Sequence, residues 1–93
     1  MFYNELLKGK AITIEPDGPQ TVSYTPALFW IDNGILFVRS PETGSTVLNR
    51  DAESMNAHFE TMQTLGFAVS VMKRETALKC YNGSADGYRA AWY

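Results

Sequence analysis

Residues 27–39 read ALFWIDNGILFVR, with Asn33-Gly34 set between two runs of apolar side chains. Asn and Gly both tolerate positive φ, so this step predicts a β-hairpin closed by a type I′ turn. A two-residue turn also fixes the register. It sets Asp32 opposite Ile35, Ile31 opposite Leu36, Trp30 opposite Phe37, Phe29 opposite Val38 and Leu28 opposite Arg39. Side chains alternate along a strand, so one face gathers Phe29, Ile31, Leu36 and Val38. The other gathers Leu28, Trp30, Ile35 and Phe37 between Asp32 and Arg39.

A hairpin that is apolar on both faces needs cover on both. One cover is legible in DAESMNAHFETMQTL, residues 51–65, where Ala52, Met55, Phe59 and Met62 recur at spacings of three and four. That pattern predicts an amphipathic helix. Asn49 is its expected N-cap, Asp51 and Glu53 suit the first turn, and Gly66 suits the end. The Phe29 face of the hairpin is assigned to the core against this helix.

The rest of the chain supplies further strands. FYNELLK at 2–8 gives about two turns of helix; AITIE at 11–15 alternates as a half-buried strand does; PDGPQ at 16–20 is turn chemistry before a short strand, TVSY. SPETGS turns the chain into another short strand at 46–48. FAVSVM and ALKCY read as two strands joined by the polar turn KRET, and NGSADGYRAAWY opens as a Gly-rich loop and closes with three aromatics. Strands, one helix and then strands predict a single α+β domain over residues 1–93, with a mostly antiparallel sheet of about five strands and one main helix, 51–65, packed on one face.

The second face of the hairpin then poses a geometrical problem. Five strands spaced by about 4.8 Å span roughly 24 Å, whereas a helix covers about 10 Å. One helix cannot cover both sides of that sheet. Left bare, Leu28, Trp30, Ile35 and Phe37 would make a patch of several hundred Å², at or beyond what monomers expose. Aromatic anchors inside a charged rim are also what interface centres contain. Leu28, Trp30, Asp32, Ile35, Phe37 and Arg39 are therefore the expected protein-binding residues. On this expectation Trp30→Ala costs little stability and abolishes association, whereas Leu36→Ala costs about 2–5 kcal/mol as a core truncation. The competing arrangement folds the N-terminal turns or the tail over this face, with Tyr88 and Trp92 laid against it.

Composition narrows the function classes. The 93 residues are 45% hydrophobic and 19% charged, with a net charge of −2. Such a chain folds, and it carries no global positive field for nucleic acid or an anionic membrane. No window reaches the ~18 consecutive apolar residues of a spanning helix, and MFYNELLKGK lacks a signal-peptide pattern. A cytoplasmic protein without membrane attachment is expected. Cys80 is the only cysteine and His58 the only histidine, which excludes an internal disulfide and any zinc site built of Cys and His alone.

No catalytic set is recognisable. His58 lacks a nucleophile and an orienting group at any telling spacing, and reads as a helix-surface histidine beside Glu60. Cys80 in a strand-like run reads as a small buried hydrophobe. NGSADG at 82–87 has glycines but neither the lysine of a P-loop nor the spacing of a dinucleotide fingerprint. No cofactor and no metal are expected. Lys73, Arg74, Lys79 and Arg89 do gather with Tyr81, Tyr88 and Trp92 in the last third, the mixture of cations and stacking platforms that single-strand binders use. Nucleic-acid binding is thus the alternative function. The preferred one is a non-catalytic protein-binding module, pairing with itself as a homodimer or docking on another protein as an adaptor or inhibitor. A small acidic chain starting at its own Met would suit a phage or another mobile element. No family resemblance is evident.

Overall fold

The computed structural model describes residues 2–16, 26–40 and 44–80. Helix α1 (Phe2–Leu7) leads into strand β1 (Lys10–Glu15), and the hairpin strands β2 (Ala27–Asp32) and β3 (Ile35–Ser40) follow. A short strand β4 (Gly44–Val47) precedes helix α2 (Ala52–Thr64), strand β5 (Ala68–Lys73) and helix α3 (Arg74–Cys80). The five strands form one antiparallel sheet in the order β4-β3-β2-β1-β5. The molecule is a small α+β fold, as the order of elements predicts. The TVSY segment and the tail beyond residue 80 lie outside the described residues.

The hairpin has the predicted register, from Leu28 opposite Arg39 to Asp32 opposite Ile35. Its turn needs two residues in the left-handed region, and Asn33 and Gly34 supply φ values of 52° and 79°. Asn reaches that region because its short polar side chain tolerates it, and Gly because it has no Cβ.

The inner face is the larger core. Ile12, Ile14, Phe29 and Leu36 from the sheet pack with Leu6 of α1 and Met55, Phe59 and Met62 of α2, and Ile31 and Val38 flank them. Phe59 is the hub: its ring meets Phe29 edge-on at 5.2 Å and Phe2 at 5.5 Å. The backbone N–H of Tyr3, which has no partner within its own helix, donates to Asn56 Oδ1 at 2.8 Å and ties α1 to α2. Ala52, expected on the buried stripe, is exposed.

The ends of α2 are closed by different chemistry. Asp51 rather than Asn49 is the N-cap, its carboxylate accepting from Ser54 N–H at 2.8 Å. Asn49 stands too far upstream to reach that orphan donor. At the other end Gly66 takes φ 94°, and Gly66 N–H and Phe67 N–H donate to the carbonyls of Gln63 and Met62, each at 3.0 Å. That pairing is the Schellman motif. It also turns Phe67 into the core beside Met62.

Residues 74–80 correct the sequence expectation. KRET and the described part of ALKCY, read as a turn and a strand, give instead Lys73 at the end of β5 and helix α3, with Tyr81 outside the described residues. The helix starts where β5 stops and packs on the outer face of the sheet, where Ala77 joins Ala11, Leu28 and Trp30 in a second buried cluster. Ala11 and Ala77 are both fully buried. Two small side chains let the helix sit close to β1. β1 is accordingly buried on both faces from Ala11 to Ile14 rather than half-buried.

Candidate protein-binding face

The missing cover over the outer hairpin face is therefore α3, but α3 covers only part of it. Leu28 is fully buried and Trp30 retains 6% of its exposure. Both lie in the cluster beneath α3 and cannot act as surface anchors, contrary to the expectation from the sequence. These two residues are covered because a segment that reads as a strand folds as a helix.

Trp30 is instead the foundation of the face. Its ring stacks on Phe37, its cross-strand partner, at 5.4 Å with planes 14° apart. The Arg39 guanidinium lies 5.0 Å from the Trp30 ring centroid, within cation–π range. Arg39 also donates from Nε to Ser45 Oγ at 2.7 Å and from Nη1 towards Leu78 O at 3.5 Å. One side chain thus links β3, β4 and the carbonyl end of α3, where a cation is favoured. At the other corner Arg74 Nη1 donates to Ile31 O at 2.9 Å and stands 3.9 Å from Asp32 Oδ1. The two arginines pin the roof to the hairpin from opposite ends.

Beyond this roof no element among the described residues covers the outer face. Ile35 is 45% exposed and Val47 64% exposed, and Val47 is the β4 partner of Phe37. Phe37 itself is half-buried. These three side chains form a short apolar row over the β3–β4 half of the sheet, with Asp32 and Arg39 at its ends. Val47 is the member that sequence reasoning missed. Placing it requires the register across the SPETGS turn, and that turn has no two-residue signature to fix it.

Of the alternative nucleic-acid set, Lys73, Arg74 and Lys79 are among the described residues. Lys73 ends β5, Arg74 opens α3 and Lys79 lies exposed in the last turn of α3. Tyr81, Tyr88, Arg89 and Trp92 lie outside the described residues. Lys73 and Arg74 do share a pocket with Lys8 and Lys10, which were not in that set.

His58 lies on the α2 side of the sheet, beside the Phe29 and Phe59 rings at 6.3 and 6.2 Å. Burial pushes its pKa below the usual 6.5, and the nearby Arg50 charge adds to that shift. α3, and with it the backbone of Cys80, stands on the opposite side. No group of three or more metal-ligating side chains occurs among the described residues, and no helix among them is long and apolar enough to cross a membrane. The chain matches no protein-family model, no curated protein and no solved structure.

Proposed function

We propose that the chain is a non-catalytic protein-binding module, that it docks through the open half of the outer sheet face, and that its first partner is a second copy of itself. The observation that carries the reading is the exposure of Ile35 and Val47 beside Phe37, on a base held rigid by the Trp30 stack. Such a row is preorganised, so little side-chain freedom is lost when it is covered. Opposite charges, Asp32 and Arg39, stand at its two ends. Two hairpins crossing antiparallel would bring unlike ends together, which favours a two-fold pair over a parallel one.

Three apolar side chains bury far less than the ~800 Å² per partner of a standard interface, so association is weak, with Kd of about 1 μM to 1 mM. Sedimentation across a concentration series tests this. The wild type should move towards a dimer as concentration rises, insensitive to salt at its apolar centre. Val47→Glu should remain monomeric. Leu65→Glu, at an exposed apolar residue outside the row, should behave as the wild type. A wild type that stays monomeric throughout, or a Val47→Glu that dimerises as well as its parent, overturns the reading.

A further inference from the structure

The chain has eight Lys and Arg residues against ten Asp and Glu, yet Lys8, Lys10, Lys73 and Arg74 converge on one pocket, with Gly9 and Glu75 completing its lining. The pocket holds about 260 Å³. It lies where the α1–β1 turn meets the β5–α3 junction, away from the Ile35–Val47 row. Lys10 and Lys73 are direct cross-strand partners. Like charges in that position repel, and a fold gains nothing from such a pair by itself. Lys8 is engaged by Glu5 at 3.6 Å, and Arg74 by Ile31 O and Asp32. Neither Lys10 nor Lys73 has an ion-pair partner among the described residues.

We infer that this pocket binds a phosphoryl group. Two cross-strand lysines lining one pocket call for a dianion, and a phosphoryl group carries about −1.5 to −2 at pH 7 with three acceptor oxygens. Lys10 and Lys73 neutralise the charge. Arg74, fixed through Nη1 on Ile31 O, turns the rest of its fork to a further oxygen, and Lys8 adds field at the rim. Glu75 opposes binding. It limits affinity and sets a preference for a ligand whose charge is concentrated on one group. Arg74 also pairs with Asp32 at one end of the pairing row, so the test rests on Lys10 and Lys73, which lie on β1 and β5.

Calorimetric titration of the full chain with inorganic pyrophosphate at low ionic strength tests the inference. Saturable one-to-one binding is expected, weakened about tenfold in Lys10→Gln and in Lys73→Gln, since each loses one charge-assisted hydrogen bond. Glu75→Gln should bind more tightly than the wild type. Both lysines are at strand ends, and circular dichroism of each variant verifies that the fold is retained. A ten-residue oligothymidylate serves as the second arm. The oligonucleotide carries only phosphodiester monoanions, so pyrophosphate should bind more tightly, and tighter binding of the oligonucleotide overturns the inference of a dianion site. Absence of saturable binding for both probes, or binding undiminished in both lysine variants, overturns the inference.

Discussion

Replacing Trp30 by Ala separates the buried foundation from a surface anchor more sharply than any other single change. The side chain is 6% exposed, stacked on Phe37 at 5.4 Å and capped by Arg39 at 5.0 Å. Truncating a buried Trp costs about 3–5 kcal/mol through lost transfer energy and the cavity left behind. The stacked pair and the cation–π contact lie at the upper end of that range, because each adds about 0.5–1 kcal/mol that leaves with the ring. A domain of this size has only about 5–14 kcal/mol in hand. Urea denaturation followed by far-ultraviolet circular dichroism avoids relying on the fluorophore being removed. With a slope near 1–1.5 kcal/mol/M, the midpoint should fall by about 2–5 M at unchanged slope. A loss below about 1 kcal/mol would refute the reasoning, since it would mean that α3 does not seal the ring from water.

Three further outcomes are expected. Asp51→Ala removes the acceptor for Ser54 N–H and should cost about 0.5–2 kcal/mol in thermal or urea unfolding, while Asn49→Ala should leave stability within about 0.5 kcal/mol. Ala77→Leu forces a larger side chain between α3 and β1, where Ala11 and Ala77 are fully buried, and should destabilise by about 1–3 kcal/mol on the same assay. His58 has a folded-state pKa lowered below 6.5, so the unfolded chain binds its proton first. Its contribution is complete above about pH 6.5 and is lost as pH falls through the window below that value. The melting temperature should therefore fall between about pH 7.5 and 5.5, and His58→Gln should flatten that slope; equal slopes in the two proteins would exclude the histidine as the cause.

How far the sequence reveals this molecule depends on the range of each interaction. The hairpin register follows from two adjacent residues, Asn33 and Gly34, whose conformational freedom selects the turn, and every pairing from Leu28–Arg39 to Asp32–Ile35 follows from it. Most of the inward stripe of α2 is equally local, because Met55, Phe59 and Met62 repeat at helical spacing. α3 is different. RETALKC is seven residues long, too short to show a period and marginal as an isolated helix. What holds it helical is tertiary: Ala77 against Ala11, Arg39 at the Leu78 carbonyl, and Arg74 on Ile31. None of these contacts has a signature within the segment itself. Without α3 the outer face has no roof, which is why the sequence alone places Leu28 and Trp30 at the surface. The Lys10–Lys73 opposition was hidden for the same reason, since it depends on β5 crossing back to pair with β1.

On the proposed function, the row of Ile35, Phe37 and Val47 is where this protein meets a second copy. Amide correlation spectra of the ¹⁵N-labelled chain, recorded across a dilution series, test it residue by residue. Concentration-dependent shifts confined to β3, β4 and the Asn33-Gly34 turn, absent in Val47→Glu, are expected. Shifts that map instead to α2 or to the β5 edge, or a spectrum unchanged by concentration, would contradict it.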